Sequence, residues 1–204
     1  MTPNENQQKW DSAARMYDLS GGFGPEKRWK PFKEELFSNM AGKILFLAVG
    51  TGLDIASFPA GQDITGIDIS PKMLEKAKPR IDAYPGQMSV RQMDVHAMDF
   101  ADGTFDQVYT SCTFCSVPDP VTGLSGLRRV LKPGGILRMF EHTGSTYFPF
   151  KTMLDLVNPV FRNLGPDINR DTVANVREAG FQVTKVSNIF LDVVKTIEAT
   201  APVE

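Results

Sequence analysis

The stretch ILFLAVGTGLDI, residues 44–55, decides the fold, because a continuous apolar run ends there in two glycines, Gly50 and Gly52. An apolar run without polar alternation is typical of a parallel strand that is covered on both faces. Glycine at the exit of such a strand can adopt positive φ and lets a ligand approach the backbone. The same pattern also fits a plain tight turn, so the residues after the turn decide which role the glycines have.

Strands and helices alternate through most of the chain. Strands are predicted at residues 43–49, 63–69, 88–94, 104–111, 135–142, 181–187 and 190–199. Helices are predicted in two pieces within 5–40, separated at SGGFGP (20–25), and then at 53–58, 71–81, 119–131 and 170–180. This order predicts an α/β fold, a doubly wound Rossmann-like sheet of about seven strands, mostly parallel, with helices on both faces. Such sheets bind ligands beyond the carboxyl ends of their strands.

The size and charge of the chain restrict the function. With 204 residues we expect a single domain (1–204), made of an N-terminal helical cap (1–40), a cofactor-binding core (41–142), and an acceptor-side insertion with the C-terminal strands (143–204). The net charge of −2 gives no general attraction to nucleic acid. Only two cysteines occur, and neither a signal-peptide core nor a membrane-spanning run is visible, so we expect a cytoplasmic protein of unknown oligomeric state.

Two acidic residues come after the glycines at strand ends. Asp68 ends the second predicted strand, sixteen residues after Gly52, where a carboxylate can accept both hydroxyls of a ribose. Asp94 ends the third strand, within reach of an adenine amino group. FDQVYTS (105–111) and VLKPGG (130–135) then come in order. These features together are much more specific than the glycines alone.

Nearly the whole chain resembles the class I S-adenosylmethionine-dependent methyltransferases, in particular those of ubiquinone and menaquinone biosynthesis and their phospholipid- and thiol-methylating relatives. The matching segments are AVGTGLD (48–54), GIDISPKMLEKAK (66–78), MDVHAMDFADGTFDQVYTS (93–111) and RRVLKPGG (128–135). CSVPDP (115–120), EH (141–142) and GPDINRDTVANVREAGF (165–181) resemble the lipid- and thiol-methylating branch.

The resemblance implies S-adenosyl-L-methionine as the cofactor, S-adenosyl-L-homocysteine as its product, and no metal. In that family the second-strand acid, here Asp68, holds the ribose, while Ile69 packs on the adenine and Asp94 reads the adenine edge. Ser111 corresponds to the strand end that lines the methionine tail. The predicted cofactor-binding residues are Ala48, Gly50, Thr51, Gly52, Asp68, Ile69, Met73, Asp94, Val95, Ser111 and Tyr17.

The chain departs from the family pattern at two positions of the first strand exit. Phe46 stands where the family carries an acidic residue, and Ala48 where it carries glycine. The change at Phe46 leaves open weaker cofactor binding, a substitute acid such as Asp54 or Asp18, or a non-catalytic protein that only binds the cofactor. An NAD-linked oxidoreductase is disfavoured, because no third glycine comes after Gly52 at the spacing of the dinucleotide fingerprint.

His142 is the predicted catalytic base. It ends the fifth strand on the edge of the glycine turn, and its neighbour Glu141 is expected to orient the ring or share its proton. The alternative is a histidine that only caps the strand end. The CTFC stretch (112–115) is expected to pack near the acceptor pocket, with redox or metal binding as the less favoured alternative.

The stretch TYFPFKTMLDLVNPVFRN (146–163) indicates the type of acceptor. Its apolar residues have helical spacing, which fits either a helix packed on the core or a wall for an apolar acceptor. EKRWKPFK (26–33) mixes basic and aromatic residues and fits either a lipid-surface contact or a solvated helix face. The expected partner is therefore a small or lipid-like acceptor, namely a phospholipid amine, a quinone precursor or a small thiol, with peripheral membrane contact as a further expectation.

Overall fold

The computed structural model describes residues 3–18, 25–164 and 167–203, so the predicted break at 20–24 lies outside the described residues. The strands are β1 (Lys43–Leu47), β2 (Asp63–Asp68), β3 (Gln87–Gln92), β4 (Phe105–Ser111), β5 (Leu131–His142), β6 (Gln182–Phe190) and β7 (Val194–Thr200). The helices are α1 (Pro3–Ala13), α2 (Pro25–Phe37), α3 (Pro71–Asp82), α4 (Pro120–Val130), α5 (Phe150–Leu164) and α6 (Thr172–Glu178), with short 3-10 helices at Leu53–Ser57 and Val95–Ala97.

The described strands form one seven-stranded sheet in the order β3-β2-β1-β4-β5-β7-β6. The pairs from β3 to β5 are parallel, and β7 runs antiparallel to both β5 and β6. The order reverses between β1 and β4, which is where a doubly wound sheet opens a crevice for a ligand. The predicted fold class is confirmed.

Alternation along β1 divides the core into two layers. Leu45 and Leu47 pack on the side of α4 and α6, while Ile44 and Phe46 pack on the side of α2 and α3. The second layer is rich in aromatic side chains, with Phe46 in edge contact with Phe37 and Phe58. Both faces of the central strand are therefore buried, which explains why its sequence shows no polar alternation.

Helix α1 is fixed to the start of α3. Asp11 accepts a hydrogen bond from the Ser70 hydroxyl at 2.5 Å, and Ser70 also caps α3 by accepting from the Met73 N–H at 3.1 Å. Further along, Arg80 of α3 pairs with Asp18 at 3.1 Å. These contacts place α1 beside the carboxyl edge of β2. Among the described residues, no helix is long and apolar enough to cross a membrane.

Candidate active site

A cavity opens at the carboxyl edge of the sheet, over the exits of β1 to β4. Nine of the eleven predicted cofactor residues line it: Ala48, Gly50, Asp68, Ile69, Met73, Asp94, Val95, Ser111 and Tyr17. Other residues also line it: Trp10, which the sequence placed near the cofactor, and Asn6, Leu47, Met93, His96, Cys112, Thr113, Ser116, Val117 and Pro118, which it did not predict as cofactor-binding. The sheet edge that the sequence indicated therefore holds a concave site.

The β1 exit turn presents bare backbone to this cavity. Gly50 has φ +58°, and a Cβ built on it meets no atom nearer than the Ala48 carbonyl at 3.9 Å. Ala48 itself holds φ +59°, a left-handed conformation that is costly for any residue with a side chain. The turn thus keeps its glycine-like geometry although one position is alanine.

Thr51 and Gly52 do not line the cavity, contrary to the prediction. A Cβ on Gly52 would come within 3.0 Å of the Ile55 side chain and 3.2 Å of Ala77 in α3, so this glycine allows close helix packing. Thr51 is buried, and its carbonyl accepts a hydrogen bond from Arg80 at 2.7 Å. The second half of the turn is therefore turned towards α3.

Asp68 joins the exits of β1 and β2. One carboxylate oxygen accepts from the Gly50 N–H and the other from the Ser70 N–H, both at 2.8 Å. Burial raises the pKa of Asp68, while the same backbone hydrogen bonds oppose that rise. Each oxygen of a carboxylate has a second lone pair, so Asp68 can accept two further hydrogen bonds from the cavity side. This arrangement fits the two hydroxyls of a ribose.

Asp94 occupies the corresponding position after β3. It caps the 3-10 helix at Val95–Ala97 by accepting from the His96 N–H at 2.9 Å, and the same oxygen lies 2.7 Å from His96 Nδ1. His96 Nε2 lies 2.9 Å from the Asp119 carbonyl. Both ring nitrogens of His96 are thus engaged, and the ring supports Asp94 and the start of α4.

The buried hydroxyl group of Ser111 indicates that the cavity suits a polar ligand. Its hydroxyl oxygen is buried and has no hydrogen-bond partner among the described residues, although Ser111 lines the cavity. A buried unpaired hydroxyl is unfavourable unless a ligand or water completes it. Together with the free lone pairs of Asp68 and the open space at Gly50, it fits the polar nucleoside and amino-acid parts of S-adenosylmethionine.

Loop 112–118 after β4 is the largest contribution that sequence reasoning missed. Five of its residues line the cavity, and Cys112 at its start has φ +51°. The available signal was CSVPDP, which indicated a family branch and not a part of the cofactor site. Irregular loops carry no periodicity, so a sequence pattern gives no orientation for their side chains.

The prediction that Glu141 orients His142 is wrong. Glu141 is fully buried and accepts hydrogen bonds from the Thr110 hydroxyl at 2.7 Å and from the Thr113 and Phe114 N–H groups at 3.0 Å. Adjacent strand residues point to opposite faces of a sheet, so the two side chains diverge. His142 does not line the cavity, and its buried Nδ1 has no hydrogen-bond partner among the described residues. Burial lowers the pKa of His142, which favours the neutral ring.

Neither proposed substitute acid reaches the cavity. Asp54 forms a 2.8 Å ion pair with Lys33 of α2, and Asp18 pairs with Arg80. Phe46 lies in the aromatic layer away from the cavity, where a carboxylate would be buried among rings. The change at this position therefore belongs to the core and gives no support to a protein that has lost catalysis.

The two cysteines are free thiols. Cys112 faces the cavity and Cys115 is buried behind it. Cys112 is an exposed residue, but desolvation of its thiol, with a smaller contribution from Glu141, raises its pKa well above the usual value, and burial raises the pKa of Cys115 to about 12. Neutral thiols are poor nucleophiles and poor metal ligands, so packing remains the better interpretation of this pair.

The basic segment 26–33 is only partly available to a lipid surface. Lys33 is buried against Asp54, and Arg28 lies over the Phe190 ring at 4.0 Å. Lys30 pairs with Glu34 along α2. The side chain of Lys27 lies outside the described part of the structure. Lys33 and Arg28 are thus engaged with the body of the protein.

Comparison with known proteins agrees with this site. Residues 45–139 match the model of the methyltransferase domain family. A ubiquinone/menaquinone biosynthesis C-methyltransferase from a Geobacter species is 34% identical over 167 residues, covering 77% of this chain and 70% of that protein. A phosphatidylethanolamine N-methyltransferase from Cereibacter sphaeroides is 34% identical over 103 residues (50% and 51%), and a human thiol S-methyltransferase is 31% identical over 171 residues (73% and 67%).

Solved structures share the fold at low sequence identity. A Haloferax volcanii methyltransferase crystallised with its Trm112 activator has a TM-score of 0.72 at 17% identity, covering 96% of this chain and 97% of that one. Geranyl diphosphate C-methyltransferase from Streptomyces coelicolor, crystallised with S-adenosyl-L-homocysteine, has a TM-score of 0.69 at 12% identity, covering 86% and 79%. The chain therefore belongs to the S-adenosylmethionine-dependent methyltransferases, in the group that includes the ubiquinone/menaquinone biosynthesis C-methyltransferases.

Proposed function

We propose that this methyltransferase acts on a lipid-like acceptor that it takes from a membrane surface. The observation that carries the proposal is the orientation of α5, which buries Leu154 but leaves Met153 and Leu156 of its apolar side exposed. The relatives named above act on a quinone precursor, a phospholipid amine and a thiol, and two of these three acceptor classes are lipid-like.

Polar contacts fix the rotation of α5. The side-chain amide of the buried Asn158 donates to Asp167 at 2.8 Å and to Asn169 at 2.7 Å. Its oxygen Oδ1 accepts from the Ile168 N–H at 2.8 Å. Asp155 accepts from Asn169 at 2.8 Å. The side of α5 that meets the protein is therefore partly polar.

Part of the apolar side of α5 and most of the segment before it are left in solvent, while Leu154 is buried. Phe148 is 85% exposed and Leu156 79% exposed, with Tyr147, Phe150 and Met153 exposed beside them. Leu191 on the β6–β7 turn is also exposed. We name these six residues the apolar patch. An amphipathic helix with aromatic residues on its open side is typical of a segment that lies in the membrane interface.

The apolar patch is joined to the edge that carries the cavity. It begins just beyond the carboxyl end of β5, where Asp192 accepts hydrogen bonds from the Thr146 N–H at 2.7 Å and from its hydroxyl at 3.0 Å. A membrane in contact with the patch would therefore lie beside the cofactor site. We also propose that residues 1–40 cap the cofactor, that residues 41–142 bind it, and that residues 143–204 form the acceptor side. The proposed location is the cytoplasm.

The sulfonium methyl group of the bound cofactor is already an activated electrophile. The protein has to align the acceptor with it, exclude water and remove a proton where the acceptor requires it. We assign the last of these tasks to His142, supported by its neutral ring, its unpaired buried Nδ1 among the described residues and its position immediately before the segment leading to α5.

The proposal is tested by a methyl-transfer screen with S-adenosylmethionine against phospholipid amines and demethylated quinones in vesicles, and against small thiols in solution. We expect transfer to a vesicle-borne acceptor. Leu156→Asp should reduce vesicle binding by about tenfold or more, because a charge replaces apolar surface that the membrane would bury.

Val203→Asp is the matched control for this variant. Val203 is an apolar residue of similar exposure (80%), and it lies beside Gly134 at the start of β5, at the opposite edge of the sheet from the apolar patch. The same charge placed there should leave vesicle binding unchanged. Transfer to thiols alone, or equal loss in both variants, contradicts the proposal.

A further inference from the structure

Glu141 is a fully buried carboxylate that holds the start of loop 112–118. It accepts from the Thr110 hydroxyl and from two successive backbone N–H groups, those of Thr113 and Phe114. The pairing of β4 with β5 ends just before this point, because the last registered pair is Ser111 with Phe140. The carboxylate thus supplies the acceptors that the strand no longer provides.

Arg170 holds the same loop from its carbonyl side. Its guanidinium donates to the Phe114 carbonyl at 2.8 Å and to the Val117 carbonyl at 2.5 Å. The Asp167 N–H donates to the Cys115 carbonyl at 2.7 Å. The Glu141 carboxylate therefore accepts from N–H groups of the loop, and the Arg170 guanidinium donates to its C=O groups. Together these charged hydrogen bonds restrict the loop backbone.

The held loop is a wall of the cofactor cavity. Cys112, Thr113, Ser116, Val117 and Pro118 all line the cavity, and Cys112 is kept at a positive φ that a cysteine adopts only when its surroundings impose it. Neither Glu141 nor Arg170 lines the cavity. They can act on a ligand only through the loop.

We infer that Glu141 and Arg170 are positioning residues that set the shape of the cofactor site, and that protonation of Glu141 loosens that site. The inference rests on the cavity being the cofactor site. When Glu141 is protonated on Oε1, the Thr110 hydroxyl can turn and accept from the new O–H, while Oε2 still faces the Thr113 and Phe114 N–H groups. The bonds to the loop then lose the charge of the acceptor and become weaker. Loop 112–118 is then held less firmly, and the affinity for the cofactor decreases.

The surroundings of Glu141 bring its titration close to neutral pH. Desolvation by burial raises its pKa to about 7, against the opposing hydrogen bonds from Thr110, Thr113 and Phe114 and the nearby positive charge of Arg170. Cofactor affinity is thus highest above pH 7, where the carboxylate is ionised, and falls as pH decreases through that value.

Other titratable groups also lie around Glu141. Lys195 lies opposite it in β7 but is paired with Asp192 at 2.9 Å. Cys112 and Cys115 in the loop stay neutral because burial raises the pKa of both. The Lys33–Asp54 ion pair acts electrostatically on Cys112 at the start of the loop. The two histidines of the chain are His96 and His142.

The test is calorimetric binding of S-adenosylhomocysteine at about pH 6 and about pH 8 in the wild-type protein and in Glu141→Gln, with His142→Gln as a further control outside the cavity. We expect affinity to be about threefold or more weaker at the lower pH, and Glu141→Gln to abolish this difference. An unchanged ratio in Glu141→Gln overturns the inference. Absence of binding in the wild-type protein at pH 8 instead overturns the cofactor site itself.

Thr110→Val is the second variant, because Glu141→Gln could impair folding. Thr110 is buried, does not line the cavity, and donates the hydrogen bond that lowers the pKa of Glu141 most. Its loss should move the midpoint of the binding profile to higher pH. Arg170→Lys keeps the charge but loses the planar guanidinium whose Nη1 donates to both carbonyls, so it should weaken binding at every pH with little movement of the midpoint. A uniform loss in Thr110→Val contradicts the inference.

Discussion

The two regions of this sheet edge, which we assign to the cofactor and to the acceptor, differ in their side chains. Over β1 to β4 the cavity carries fixed polar groups, such as Asp68 and Ser111, and open backbone at Gly50 among apolar side chains such as Met73 and Val117. Beyond β5, the acceptor side presents long apolar side chains such as Phe148 and Leu156. A nucleoside and amino-acid cofactor needs fixed hydrogen-bonding groups, whereas an apolar acceptor needs surface area without directional bonds. Single substitutions on each side test whether the two sides are independent.

The largest effect is expected from Gly50→Val. The valine side chain would enter open cavity space, so S-adenosylhomocysteine should lose affinity by on the order of a hundredfold or more, while the protein stays folded with about 1–2 kcal/mol of backbone strain. Calorimetric titration and thermal unfolding measure the two effects.

Gly61→Val is the matched control for this change. Gly61 also has positive φ (+78°), and a Cβ there meets nothing within 4 Å, but the residue lies outside the cavity. Gly61→Val should show the strain without the loss of affinity. If both variants bind equally well, the glycine turn is structural only.

His142→Ala comes next and tests the acceptor side. A general base typically contributes about a hundredfold or more to rate, so kcat with a verified acceptor should fall by about that factor. The affinity for S-adenosylhomocysteine should stay nearly unchanged, because His142 does not line the cavity. His142→Gln keeps a hydrogen-bonding group and should retain more activity if the role is positioning.

The pH dependence of turnover adds to this test. Burial lowers the pKa of His142, so the ring stays neutral to a lower pH than an exposed histidine, and its contribution should be lost only as pH falls below the usual histidine range. Wild-type turnover in His142→Ala would reduce this residue to a strand cap.

Asp68→Ala should weaken S-adenosylhomocysteine binding by about 2–3 kcal/mol, because the ribose loses its acceptors and the Gly50 and Ser70 N–H groups lose theirs. Asp68→Asn keeps an oxygen for one of these N–H groups and should lose less. Asp63→Ala, at the exposed start of the same strand, serves as the control. Affinity within about threefold of wild type in Asp68→Ala would remove its assignment to the ribose.

Sequence reasoning located the sheet edge with the cavity and nine residues that line it, because the requirements at strand exits are local. A strand exit that needs positive φ or an N–H acceptor restricts residue type at a fixed position, as at Gly50 and Asp68. The positions of Glu141 and Arg170 could not be predicted, because their contacts join segments 27 to 56 residues apart. Nor could the outward rotation of α5, since its apolar spacing is the same whether that face meets a core or solvent.

Ala48→Gly has the smallest expected effect and tests whether the β1 exit turn is strained. Ala48 holds φ +59° beside the cavity, and an alanine in the left-handed region costs about 1–2 kcal/mol. Glycine removes this cost but loses about 0.5–1 kcal/mol more entropy on folding, so the free energy of unfolding should rise by about 1 kcal/mol at most. Denaturant unfolding measures the change.

Ala77→Gly provides the opposite case. Ala77 lies inside α3 with its side chain fully buried, so the same substitution should lower the free energy of unfolding by about 1 kcal/mol or more. Opposite signs in the two variants would show that the turn itself, and not alanine content, carries the strain. If Ala48→Gly is destabilised instead, the Ala48 methyl group stabilises the turn by packing. The cavity wall at this position would then depend on a side chain and not on the backbone alone.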